Sequence, residues 1–148
     1  MNQLRRVFLQ AAAAGFALAT LPMRAFAAWN KDAFGAKTTS DALKSIGAAG
    51  AADSSGIVID APQIAENGAV VPIEVTSNIP GTTSISVLIE KNPFPLAAKF
   101  DFKEGALPYV KINAKIGETS NVRVIAEAGG KTFSAMKEVK VTIGGCGG

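Results

Sequence analysis

From residue 56 onward, apolar residues recur at every second position. In VPIEVTS, Val71, Ile73 and Val75 share one face and Glu74 and Thr76 the other. SISVLIEK repeats the pattern with Ile85, Val87 and Ile89. KFDFK sets Phe100 and Phe102 between Lys99, Asp101 and Lys103, so both rings are expected in the core. YVKINAKIG alternates Val110, Ile112, Ala114 and Ile116 with Lys111, Asn113 and Lys115. A period of two belongs to a strand with one face buried and the other wet. GIVID adds another such run. NVRVIAEA and TFSAMKEVKVTIG form a last pair, joined by Gly129 and Gly130, a link suited to a two-residue turn with positive φ. Together these are about seven strands separated by turn signals, which predicts an all-β, immunoglobulin-like antiparallel β-sandwich over residues 56–143.

The preceding stretch has a different rhythm. In TTSDALKSIGAAGAADSSG, Thr39 or Ser40 is placed to cap a helix and Asp41 to complement its dipole. Ala42, Leu43 and Ile46 form one short apolar stripe, and Gly47 and Gly50 end it. One short helix and a linker are therefore expected over residues 28–55. Three apolar residues break the strand pattern. Leu88 and Ile125 fall on outward positions, as does Met136 beside an expected bulge in the last strand. They fit a second covered layer, isolated exposed side chains, or a partner surface.

The first residues read as an export signal. LRRVFLQ carries Arg5 and Arg6, with Phe8 and Leu9 just after them. An apolar run too short to span a bilayer follows, then Pro22, Arg24 and the small-x-small pattern AFA. Cleavage after Ala27 makes residues 1–27 a twin-arginine (Tat-type) signal, the kind that exports folded proteins, although Leu4 and Gln10 depart from the usual motif. Cleavage also alters the charge. Of 15 basic residues, Arg5, Arg6 and Arg24 leave with the signal, so 12 remain against 12 acidic residues. The mature chain is then neutral. With no basic patch interleaved with aromatics, nucleic acid is not an expected partner, and neither is a membrane after processing.

The chemical inventory is short. The chain has no histidine and one cysteine, which removes His-based triads, Cys–His dyads, CxxC redox motifs, zinc ribbons and an internal disulfide. No glycine-rich loop joins a strand to a helix. Glu74, Glu90 and Asp101 alternate on outward positions and read as solvated faces. No catalytic residue, metal site or cofactor is expected. What stands out is the ending TIGGCGG, in which Cys146 lies between Gly144–Gly145 and Gly147–Gly148. Glycine is the residue most costly to order, so residues 144–148 are expected to form a thin, mobile arm anchored at Ile143. Cys146 can reach on the order of 10 Å past the last strand. No activating group is near it in sequence, and a pKa of about 8.5 leaves only a few per cent thiolate at neutral pH. Such a thiol suits a handle that other enzymes load and unload, on an exported protein.

The ending AEAGGKTFSAMKEVKVTIGGCGG, the stretch VPIEVTSNIPGTTSISVLIEKNPFPLAAKFDF with its NPxPLA segment at Asn92 to Ala97, and the twin-arginine leader closely resemble the SoxY family, the sulfur-substrate carriers of periplasmic thiosulfate oxidation. The resemblance implies a periplasmic carrier without catalytic machinery of its own. Cys146 would bind thiosulfate through its sulfane sulfur as a cysteine S-thiosulfonate. It implies a SoxAX-like c-type haem enzyme that makes the bond, and a SoxB-like manganese hydrolase that releases sulfate and leaves a persulfide. Where present, a SoxCD-like molybdenum–haem sulfur dehydrogenase would oxidise the remaining sulfur. It also implies a tight complex with a SoxZ-like β-sandwich protein, exported together with the folded carrier, for which Leu88 and Ile125 are candidate contacts.

Two other readings remain. A ubiquitin-like sulfur carrier also ends in Gly-Gly, but it carries a thiocarboxylate made with ATP, which the export signal and the longer β pattern disfavour. An exported structural or adhesion domain would use Cys146 for intermolecular disulfides.

Overall fold

The computed structural model describes residues 29–142. The elements, in order, are α1 (Lys31–Gly35), α2 (Thr39–Ser45), β1 (Ala52–Asp53), β2 (Ile57–Asp60), β3 (Ile64–Ala65), β4 (Val71–Ser77), β5 (Thr82–Ile89), β6 (Leu96–Asp101), β7 (Tyr109–Ala114), β8 (Ser120–Ala128) and β9 (Lys131–Val141). The seven expected strands are β2 and β4 to β9. They divide into a large sheet ordered β1-β9-β8-β5-β6, with β3 also pairing β9, and a three-stranded sheet ordered β2-β4-β7.

The two sheets face each other across one core, because alternation gives each an apolar inner face. Val71, Ile73 and Val75 of β4 meet Ile85, Val87 and Ile89 of β5 and Val122, Val124 and Ala126 of β8, all fully buried. Phe100, Phe102 and Ile112 are half-buried and pack on the rim of this core, so the two phenylalanines line its edge rather than its centre. That edge is open because β6 and β7 are each the last strand of their sheet. The Gly129–Gly130 turn is as expected, with φ of +57° and +72°, the geometry of a tight hairpin turn.

Several expectations are corrected. The short strands β1 and β3 break the purely antiparallel scheme, since both run parallel to β9. The last strand has no bulge. It pairs β8 in one register from Ser120 opposite Val139 to Ala128 opposite Lys131. Met136 is half-exposed on the outer face because the alternation is unbroken. Lys137 takes the inward position and reaches out between the sheets, its Nζ 3.5 Å from the Ile59 carbonyl. The register shifts lie in β5 instead, between Thr82 and Ser84 against β8 and between Val87 and Leu88 against β6.

The N-terminal region holds two helices where one was expected. Asn30 caps α1 by accepting from the Ala33 amide at 3.0 Å, and its Nδ2 donates to the Ser45 carbonyl of α2 at 2.9 Å. Thr38, one residue ahead of the expected cap, accepts from the Asp41 amide at 3.1 Å and donates to the Asp41 carboxylate at 2.7 Å. The helix pair lies on the outer face of the large sheet. Ala33, Ala42 and Ala48 bury themselves against Leu88, Leu96 and Ile125, with Phe34, Leu43 and Ile46 around them. Leu88 is fully buried and Ile125 nearly so, which is the second covered layer among the expected alternatives and not a partner surface at these two residues. The chain covers them with its own helices, because an outward leucine and isoleucine side by side need an apolar cover.

Candidate functional site

The residues singled out in the sequence as functional lie outside the described residues. These are Cys146, the arm glycines Gly144, Gly145, Gly147 and Gly148, the anchor Ile143, and the export residues Arg5, Arg6, Phe8 and Leu9. What the structure shows is the platform around the end of β9, up to Thr142.

That platform is tightly built. The Lys140 amide donates to the Gln63 carbonyl at 2.9 Å and the Thr142 amide to the Ala65 carbonyl at 3.1 Å, both on the β3 side. On the other side the Val141 amide donates to Thr119 Oγ1 at 3.0 Å. The end of β9 is therefore held from both flanks up to the last described residue. Gly68, in the β3–β4 loop, is wedged beneath it. A Cβ there would lie 2.3 Å from the Ile116 carbonyl oxygen and 2.9 Å from a Val141 methyl. The Gly68 carbonyl in turn accepts from the Ile116 amide at 2.7 Å.

The NPxPLA segment joins the same pole. Asn92 Nδ2 donates to the Lys115 carbonyl at 2.7 Å, and its Oδ1 accepts from the Gly117 amide at 3.2 Å. One side chain thus clamps the β5–β6 turn to the β7–β8 connection. Pro95 is fully buried, while Phe94 between the two prolines is half-exposed. Next to it, Ile89, Asn92, Ala97 and Ala98 face Ile112, Asn113, Ala114 and Lys115 across a cleft of about 350 Å³ between the free edges of β6 and β7. In the sequence Asn92 stands out only as part of the NPxPLA motif. Its clamp, and the roles of Gly68 and Thr119, depend on partners far along the chain.

Polar groups elsewhere serve the scaffold. Glu90 accepts from Arg123 Nε at 2.7 Å and from Asn121 Nδ2 at 3.1 Å, and Arg123 Nη1 donates to Ser134 Oγ at 3.3 Å. Thr39 Oγ1 donates to the Glu90 carbonyl at 3.3 Å, which ties α2 to this network. On the outer face of the small sheet, Glu74 accepts from Lys111 Nζ at 2.6 Å and from the Tyr109 hydroxyl at 2.7 Å. These bonds, the one from Lys111 foremost, hold the Glu74 carboxyl below its ordinary range, and they raise Lys111 and Tyr109 above theirs. Among the described residues, no three His, Cys, Asp or Glu side chains come together as a metal site. No helix among them is long and apolar enough to cross a membrane.

The profile of the family described as sulfur oxidation protein SoxY matches residues 43–146, from the middle of α2 to the cysteine itself. The chain belongs to the SoxY family. A solved SoxY structure, the sulfur carrier protein SoxY from Chlorobium limicola f thiosulfatophilum, is 40% identical; the match covers 70% of this chain and 96% of that one, with a TM-score of 0.62. The β-sandwich is thus the SoxY fold. A superoxide reductase (neelaredoxin) from Ignicoccus hospitalis is 18% identical over 71% of this chain and 93% of its own, with a TM-score of 0.53, which is a likeness of fold alone. No curated protein matches the chain. The SoxY match takes in the whole arm-root platform, including Gly68, Asn92 and Thr119, whereas α1 precedes it.

Proposed function

We propose that this SoxY-family chain is a covalent sulfur carrier that binds thiosulfate-derived intermediates on Cys146 and presents them to the enzymes of a Sox-type pathway. The observation that carries this reading is the family match through Cys146, joined to 40% identity with a SoxY described as a sulfur carrier protein. The platform at Thr142 supports it. A carrier needs a fixed root and a slender arm, and β9 is held on both flanks where residues 143–148 begin. Gly144, Gly145, Gly147 and Gly148 add no side chains, so Cys146 can enter a passage that an ordinary peptide would block.

The chemistry follows from the thiol. The Cys146 thiolate and thiosulfate form a sulfur–sulfur bond and give up two electrons to a SoxAX-like c-type haem enzyme, leaving an S-thiosulfonate. Water then cleaves the sulfonate at a SoxB-like manganese hydrolase. Sulfate leaves with two protons released, and the persulfide stays on Cys146. A SoxCD-like dehydrogenase takes the remaining sulfur where the organism has one. A SoxZ-like β-sandwich is the standing partner. Leu88 and Ile125 are not its contacts, because α1 and α2 cover them. Residues 1–27, with Arg5, Arg6, Phe8 and Leu9, direct folded export to the periplasm.

Intact-mass measurement tests the reading. Protein from thiosulfate-oxidising cells should carry thiosulfonate or polysulfane mass on Cys146, and Cys146→Ser should carry none. An adduct that persists in Cys146→Ser points to a C-terminal thiocarboxylate instead. A disulfide-linked homodimer alone, with thiosulfate oxidation unimpaired in Cys146→Ser, would sink the carrier reading in favour of a structural disulfide.

A further inference from the structure

The pole of the sandwich at the end of β9 carries two exposed apolar residues that neither core uses. Phe94 is 52% exposed and Val70 is 59% exposed. Phe94 packs into neither apolar cluster. Each is linked to Lys115, one by strand register and the other by a shared cleft. Val70 precedes Val71, which pairs with Ala114, and so stands in register with Lys115. Phe94 lines the cleft that Lys115 also lines. From Lys115 the contacts run through Ile116 and Gly68 to Val141 at the arm root.

The turn that presents Phe94 is stiff. Asn92 spends both polar atoms of its side chain on the backbone of the β7–β8 connection, and Pro93 and Pro95 fix the φ on either side of the ring. A preformed apolar knob loses little conformational freedom when it is covered.

The length of chain beyond Thr142 says what covers it. Cys146 is four residues past Thr142, so its Cα travels at most about 14 Å from the platform, even fully extended. Any recessed site that takes the thiol must bring the surface around its mouth up against the residues flanking Thr142. We propose that Phe94 and Val70 form the docking surface for the rim of the enzyme active sites that load and unload Cys146. The proposal rests on the carrier reading above. It makes Phe94 a shared recognition element, separate from the thiol, that sets how readily those enzymes engage the carrier and leaves the chemical step alone.

The test uses the full mature chain in complex with its SoxZ-like partner, thiosulfate, and the periplasmic fraction of thiosulfate-oxidising cells as the enzyme source, with loading of Cys146 followed by intact mass. In the double variant Phe94→Ser, Val70→Ser, the carrier concentration for half-maximal loading should rise about 10-fold or more at an unchanged maximal rate, as for loss of a central aromatic anchor, and Phe94→Tyr should restore it to within about 2-fold. The melting temperature and the reaction of Cys146 with a small thiol reagent should not change. An unchanged half-maximal concentration in a folded double variant overturns the proposal. So does faster reaction with the small reagent, which means the pair covers the chain's own arm. Loss of the complex with the SoxZ-like partner would assign the two residues to that partner and overturn it equally. If wild-type protein gains no adduct on Cys146 at all, the carrier reading itself has failed, and the docking surface falls with it.

Discussion

Gly68 shows how much a single residue can decide near the end of β9. Its backbone passes so close to Ile116 and Val141 that no Cβ fits, and the nearest obstacle is a backbone oxygen that cannot rotate away. Gly68→Ala should therefore cost about 3 kcal/mol, the upper end for overpacking, read as a lowered denaturant midpoint at an unchanged slope. Glu74 offers a test of a different kind. Its carboxyl is held low by the hydrogen bonds from Lys111 and then Tyr109, so its contribution to stability is present above the unfolded carboxylate value and is lost as pH falls through the folded one. Lys111 and Tyr109 are raised, chiefly by their bonds to Glu74, so theirs is full below their unfolded values and is lost as pH rises through the folded ones. The stability difference between wild type and Glu74→Gln should thus form a plateau at intermediate pH and shrink toward both acid and alkali. Solvent screening keeps the plateau small and lowers it further in salt. Urea unfolding in steps from about pH 3 to about pH 11 measures this. A difference that stays flat across that range would contradict the assigned partners.

Among the elements, the helix pair matters most for what the large sheet can do. α1 and α2 are too short to hold themselves in water, and their stability comes from the apolar face laid on β5, β6 and β8. Leu88 is at the centre of that contact and fully buried. Leu88→Ala should cost about 3 kcal/mol through lost burial and a residual cavity. Because Leu88 belongs to the outer cluster and not to the sandwich core, amide exchange should accelerate in residues 33–48 well before it does in β4 or β8. Uniform acceleration across both layers would mean that the helices and the sandwich unfold as one unit. The hairpin between β8 and β9 makes the contrasting case. Its turn was readable because Gly129 and Gly130 both need φ > 0, a local demand that a dipeptide announces by itself.

For the molecule as a whole, among the described residues the helix pair covers the outer face of the large sheet and leaves that of the small sheet bare. Removing residues 29–51 should bare Leu88, Leu96 and Ile125 together. The truncated chain should bind a hydrophobic dye and self-associate, as light scattering would show, while β4, β7 and the inner core persist. A monomeric, dye-silent truncation would show that the helices are not the needed cover. The seven longer strands, the tight turn and the alternation of faces could be read from the chain alone, because periods of two and paired glycines are properties of neighbours in sequence. The division into six and three strands, the parallel additions at β9 and the cover over Leu88 and Ile125 could not, and neither could the clamp of Asn92 on Lys115 and Gly117. Each of these joins residues about 20 to 90 positions apart, and local pattern says which face of a strand is apolar without saying what comes to lie on it. That is decided only when the sheets close and each apolar face finds the nearest one that can exclude water with it.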